Sequence, residues 1–182
     1  MSEMFSRRVF LRGLGVVAAA AALTACSSTN EAVNQALIEG AVGGIVAADC
    51  KIGRSRYWAA NATVPVNEIS FRIVMTNVSS KPVTLSGDNF ATTLDGTPIT
   101  PFRFSARDVG DADIWRTYDS LTIRPGEERS VALEYEINQS TYDSWYRSSR
   151  TVAVSFTCGN QRVTYTKNSR SDEITVSDIE TL

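Results

Sequence analysis

Residues 69–76 read Ile69-Ser70-Phe71-Arg72-Ile73-Val74-Met75-Thr76. Ile69, Phe71, Ile73 and Met75 fall on one side of an extended chain; Ser70, Arg72 and Thr76 fall on the other, with Val74 as the exception. That alternation is the signature of a strand with one buried face. The same period returns at Val131, Leu133, Tyr135 and Ile137, with Ser130, Glu134 and Glu136 facing out. It returns again at Val152, Val154 and Phe156, and at Val163 with Tyr165. Gly159-Asn160 between the last two is a hairpin signal. Shorter strands are expected near Val83–Leu85, Phe90–Leu94, Ile99–Phe104 and Leu121–Ile123, with turns at Asp95-Gly96 and Pro125-Gly126. Seven or eight short strands separated by regular turns predict an all-β antiparallel sandwich.

Working outward, the whole chain has 182 residues, a net charge of −2 and no histidine. That length allows one domain with a tail. Lack of histidine removes Ser-His-Asp and Cys-His catalysis and histidine-ligated zinc. The near-balanced charge supplies no basic face for nucleic acid. No C-x-x-C, C-x-x-C-H or G-x-G-x-x-G motif is present, so no cofactor is expected. The expected activity is contact rather than catalysis.

The first twenty-five residues read differently. Arg7, Arg8 and Arg12 stand before an apolar, alanine-rich run from Gly13 to Ala22, which small residues close. Such a run is too short to span a hydrocarbon core of about 30 Å, and its plan is that of a removable export signal. From Glu31 a helix is expected, capped by Asn30, with Ala32, Ala36, Gly40, Gly44 and Ala48 forming a stripe of small side chains. The chain therefore divides into a signal (1–25), an N-terminal helix or linker (26–50) and the sandwich (51–182).

Two motifs in the leader resemble known signals. Ser6-Arg7-Arg8-Val9-Phe10-Leu11-Arg12 resembles the twin-arginine translocation motif, and Leu23-Thr24-Ala25-Cys26 resembles a bacterial lipobox. The resemblance implies folding before export, cleavage ahead of Cys26 and thioether linkage of Cys26 to diacylglycerol. The implied place is outside the cytoplasm on a membrane, and the outer one in a two-membrane cell, because Ser27 rather than Asp follows the cysteine. Loss of residues 1–25 moves the net charge from −2 to −4.

The strand at Phe71 followed by Thr76-Asn77-Val78-Ser79-Ser80-Lys81-Pro82-Val83 resembles immunoglobulin-like domains on bacterial surface lipoproteins. So does Leu121-Thr122-Ile123-Arg124-Pro125-Gly126-Glu127 ahead of the strand at Val131. That resemblance covers roughly residues 57–167. It implies an immunoglobulin-like sandwich that serves as a binding or assembly module for an envelope component or a protein partner, without catalytic residues.

Several side chains stand out as candidates. Cys50 and Cys158 remain once Cys26 is lipidated, and an oxidising exterior allows their disulfide, worth up to about 4.7 kcal/mol for a loop of that size. A domain that folds before export must nevertheless stand without it. Tyr142, Trp145 and Tyr146 cluster near Arg147 in an expected connection; such residues are enriched in partner hot spots, and they also serve as aromatic plugs at the ends of sandwiches. Trp115 and Tyr118 form a second such pair. Asp108, Asp111 and Asp113 are close enough to offer oxygens to calcium, but their spacing does not fit an EF-hand, and Arg107 and Arg116 can neutralise them. No metal is expected. Glu134 and Glu136 share an outward face and read as solvent-facing residues. Two rival roles are a structural lipoprotein that self-associates through the small-residue helix and a carboxylate-based hydrolase.

Overall fold

A computed structural model describes residues 41–60, 63–109 and 114–182. Two antiparallel sheets face each other. The first runs in the order β1 (Ile45–Tyr57), β2 (Val66–Asn77), β9 (Glu128–Glu136), β6 (Arg103–Asp108), β7 (Arg116–Thr117). The second runs β12 (Ile174–Val176), β11 (Gln161–Asn168), β10 (Thr151–Cys158), β4 (Phe90–Leu94), β5 (Thr97–Ile99), and β13 (Glu180–Thr181) also pairs with β11. A separate ribbon joins β3 (Val83–Ser86) to β8 (Ser120–Ile123). The neighbours β1-β2-β9-β6 reproduce the A-B-E-D sheet of an immunoglobulin-like sandwich, and β5-β4-β10-β11 reproduce C′-C-F-G.

The alternating residues of β2, β9, β10 and β11 form the core. Ile69, Phe71, Ile73 and Met75 meet Val131, Leu133 and Tyr135 on the first sheet, and Val152, Val154 and Phe156 come from the second. Phe90 stacks on Phe156 with ring centres 5.1 Å apart, and Phe71 tilts against Tyr165 at 6.0 Å. Leu85, Leu121 and Ile123 of the β3–β8 ribbon are also buried.

Residues 41–48 correct the helix expectation. Val42 bridges Ile45, and β1 is already paired with β2 from Ile45 onward. Gly43 (φ +58°) and Gly44 (φ +84°) make the corner that ends any helix there. A Cβ on Gly43 would lie 2.5 Å from Cys158 Sγ, so only glycine fits against the hairpin between β10 and β11. The sandwich thus begins before residue 51. Residues 31–40 lie outside the described ones.

β1 also carries a bulge. Ala48 pairs with Val74 but Lys51 pairs with Arg72, so Asp49 and Cys50 together oppose Ile73. Asp49 takes φ +49° there. The extra residue turns Cys50 inward and sets Ile52, Arg54 and Arg56 on that same side afterwards.

On the opposite flank, β5 is a free edge. Asp95 (φ +51°) and Gly96 (φ +79°) form the two-residue turn from β4, with Leu94 opposite Thr97 and Thr93 opposite Pro98. In such a hairpin the second pair points its backbone groups away from the partner strand. Pro98 therefore faces the free edge with no N–H to offer, which guards it against strand addition.

Candidate functional site

The expected connection after β9 contains a short helix, α1 (Gln139–Ser144). Asn138 caps it by accepting from the Thr141 N–H at 2.7 Å. Trp145 follows and is only 3% exposed, packed in the core cluster. This corrects the expectation that it touches a partner: it is the plug closing this end of the sandwich. Two guanidinium groups lie against the Tyr142 ring, Arg54 at 4.3 Å and Arg56 at 4.2 Å from its centre. Arg54 also lies 4.6 Å from the Tyr146 ring and donates to the Tyr142 carbonyl. The bulge in β1 brings both arginines to this side.

Hydrogen bonds lock the cluster. Arg56 Nε donates to Asn67 Oδ1 at 2.7 Å, Asn67 Nδ2 to Gln139 Oε1 at 3.2 Å, and Gln139 Nε2 to Asp143 Oδ2 at 2.7 Å. Tyr142 is thus engaged within the domain. Tyr146, 58% exposed, keeps a free face.

The structure separates the second aromatic pair. Trp115 lies on the outer face of the first sheet, 5.4 Å from the Arg72 guanidinium and 5.0 Å from that of Arg107. Glu134 shares that face, paired with Arg103 at 2.7 Å. Burial pushes its carboxyl above the ordinary value; Arg103 opposes this, and Glu68 adds to it. Glu68 accepts from the Ser55 hydroxyl. Glu134 is therefore not a freely solvated strand residue, as its outward phase predicts, but a half-buried member of a charge network.

Tyr118 stands instead at a groove of about 600 Å³ along the open seam between β5 and β6. Phe90 and Phe104, ring centres 6.1 Å apart, form its floor. Pro98, Pro101 and Phe102 line one wall, and Asp88 and Asp119 also border it. Phe102 is 44% exposed and lines the groove with Pro98 and Pro101. Periodicity alone does not flag these residues, because the groove joins segments far apart in sequence. The local signal is Pro98-Ile99-Thr100-Pro101-Phe102, two prolines and an aromatic beside a strand end.

The metal and cysteine candidates resolve as follows. Asp108 is ion-paired to Arg129, which also holds Glu127; Asp111 and Asp113 lie outside the described residues. Among the described residues no group of three acids or cysteines is placed to hold a metal. The expected disulfide is not formed: Cys50 and Cys158 are free thiols. Cys50 is buried near Tyr165, whose partner Val154 lies four residues along β10 from Cys158, about 13 Å of strand. Burial, and then Asp49, pushes the Cys50 thiol well up; burial also raises Cys158. Cys158 lies against the Gly43 carbonyl. Arg7, Arg8 and Cys26 lie outside the described residues.

No protein-family model matches the chain, and no curated protein matches it. Among solved structures it is similar to an uncharacterized beta-sandwich protein from Clostridium difficile 630, at 15% identity and TM-score 0.40 over 68% of this chain and 83% of that one. A functionally unknown protein from Listeria monocytogenes EGD-e shares 12% identity at TM-score 0.38, over 62% and 66%. A protein from Archaeoglobus fulgidus shares 13% identity at TM-score 0.32, over 74% and 98%. The immunoglobulin-like assignment rests on the strand order given above.

Proposed function

We propose that this chain is a lipid-anchored binding domain held outside the cytoplasm, in which Cys26 carries the lipid and the sandwich makes the contacts. The observation that carries this reading is the register of the leader: a twin-arginine motif at Ser6–Arg12, an apolar run and a lipobox ending at Cys26. A diacylglyceryl group brings at least two acyl chains, at about 0.8 kcal/mol per buried methylene, whereas a single chain holds a protein only marginally.

The geometry of the domain suits such a tether. Gly43 N–H donates to Gln161 Oε1 at 2.9 Å and the Gly44 carbonyl accepts from Val78 N–H at 2.9 Å, so the chain is clamped where it joins the sandwich. From that point β1 runs 13 residues, about 43 Å. The end bearing Tyr146 is thereby held away from the tethered end. The partner is an envelope component or a protein.

The test is Cys26→Ser in the full chain. The wild type is expected in the membrane fraction with labelled palmitate incorporated; the variant is expected unprocessed and unlabelled. Palmitate still incorporated into the variant would overturn the assignment of Cys26.

A further inference from the structure

The groove between β5 and β6 has a chemistry that selects its occupant. Its lining includes the aromatic side chains of Phe90, Phe104, Tyr118 and exposed Phe102 together with Pro98 and Pro101. Its charge is one-sided. Asp88 and Asp119 are exposed, while the bordering Arg103 is already paired with Glu134 at 2.7 Å and stacked on Phe102 at 5.0 Å. A ligand therefore meets two carboxylates and no free cation from these three residues. The edge disfavours one familiar mode of binding, because Pro98 turns its N-substituted side outward and offers no N–H to an added strand.

A polyproline II segment that carries basic side chains satisfies all three conditions. It carries no internal hydrogen bonds, asks for no ladder partner and is already extended, so little chain entropy is lost on docking. Aromatic-lined grooves hold such segments by ring-on-proline contact. From the aromatic seam, the acidic rim and the proline at the edge we infer that the groove binds an extended, proline-rich polypeptide bearing lysine or arginine. The reading concerns the folded domain and holds whether or not Cys26 is lipidated.

The experiment is fluorescence anisotropy on the full chain, purified in detergent, with a labelled peptide of repeated Pro-Pro-Arg triplets. Saturable binding is expected, weakened about tenfold by Phe102→Ala, on the scale of a hot-spot truncation. The double variant Asp88→Asn, Asp119→Asn should weaken it severalfold and flatten its salt dependence. Tyr146→Ala, beside β1 on the opposite flank of the first sheet from β6, should bind as wild type does. Circular dichroism of each variant separates lost binding from lost folding, and the Asp double variant, altered only at exposed side chains, keeps the test open should Phe102→Ala unfold. Three results would overturn the inference: no saturable binding; equal binding of Pro-Pro-Glu or Gly-Ser-Arg repeats; or a neutral oligosaccharide that displaces the peptide and binds more tightly.

Discussion

Trp145→Ala is expected to destabilise the domain by about 3–5 kcal/mol, the usual cost of removing a large aromatic from a packed core. The indole is 3% exposed and belongs to the core cluster, so its loss opens a cavity at the end of the sandwich rather than stripping a surface contact. Set against a typical stability of about 5–15 kcal/mol, the loss lowers the melting temperature by roughly 10–20 °C in a domain of this size. Tyr146→Ala, which removes an exposed ring stacked on Arg54, should cost about 1 kcal/mol or less. Denaturant melts of the two variants make the comparison. A Trp145→Ala variant as stable as the wild type would return that indole to the surface and undo the plug.

The second large effect is expected at Asn77, whose side chain is fully buried. Its Nδ2 donates to the carbonyls of Lys81 and Ile123, both at 2.8 Å. Its Oδ1 accepts from the Ser79 N–H at 2.9 Å and from the Ser79 hydroxyl at 2.7 Å. Its backbone also exchanges hydrogen bonds with the Pro125-Gly126 turn: Gly126 N–H donates to the Asn77 carbonyl, and Asn77 N–H to that of Glu127. One residue thus ties the end of β2 to the end of β8 and the start of β9. Asn77→Ala leaves the Ile123 carbonyl and the Ser79 N–H without these partners, at about 1–3 kcal/mol for each buried group left unpaired. A total loss of about 2–4 kcal/mol is expected.

Asn77→Asp adds a signed test by pH. The new carboxylate has no donor for the two carbonyls, whereas the protonated acid keeps one O–H, and the site is buried; both raise its folded pKa above the unfolded value. A raised carboxyl pKa means that stability is retained below the unfolded pKa and lost as pH rises through the folded one. The variant should therefore weaken relative to wild type with increasing pH, whereas Asn77→Ala should show an offset independent of pH. A pH-independent deficit for Asn77→Asp would contradict the fully buried geometry.

Asn77 also illustrates how much could be read before the structure. The Asn-rich turn after β2 and the Pro-Gly turn before β9 were the marks of an immunoglobulin-like domain, and in space they are hydrogen-bonded to each other. The strands with uninterrupted alternation, such as Val131–Tyr135 and Val152–Phe156, lie where their period places them. β1 was hidden for a physical reason. The bulge at Asp49-Cys50 shifts its phase halfway, and Arg54 and Arg56, though on the inward side, look solvent-facing by composition. Without that strand, the small residues from Ala32 to Ala48 offer only a helical stripe, and nothing in their spacing marks Gly43-Gly44 as a corner with positive φ. Both errors concern local breaks in a regular repeat.

The site was less legible than the fold. Aromatic content marked Tyr142, Trp145 and Tyr146 as a cluster, but contact with a partner and burial as a plug share one composition. Only the arginines supplied by β1, some ninety residues earlier, separate engaged Tyr142 from exposed Tyr146. The groove likewise needs Phe102 and Tyr118 from opposite sides of the 109–115 stretch, and the fate of Cys50 and Cys158 depends on their separation in space. Such facts arise from tertiary pairing and have no period to betray them.

The tether is tested most directly by the intact mass of the wild-type chain recovered from membranes of its own cells. A chain that begins at Cys26 and carries the added mass of diacylglycerol is the result expected here. A chain that still begins at Met1, or a cleaved one without lipid, would contradict it.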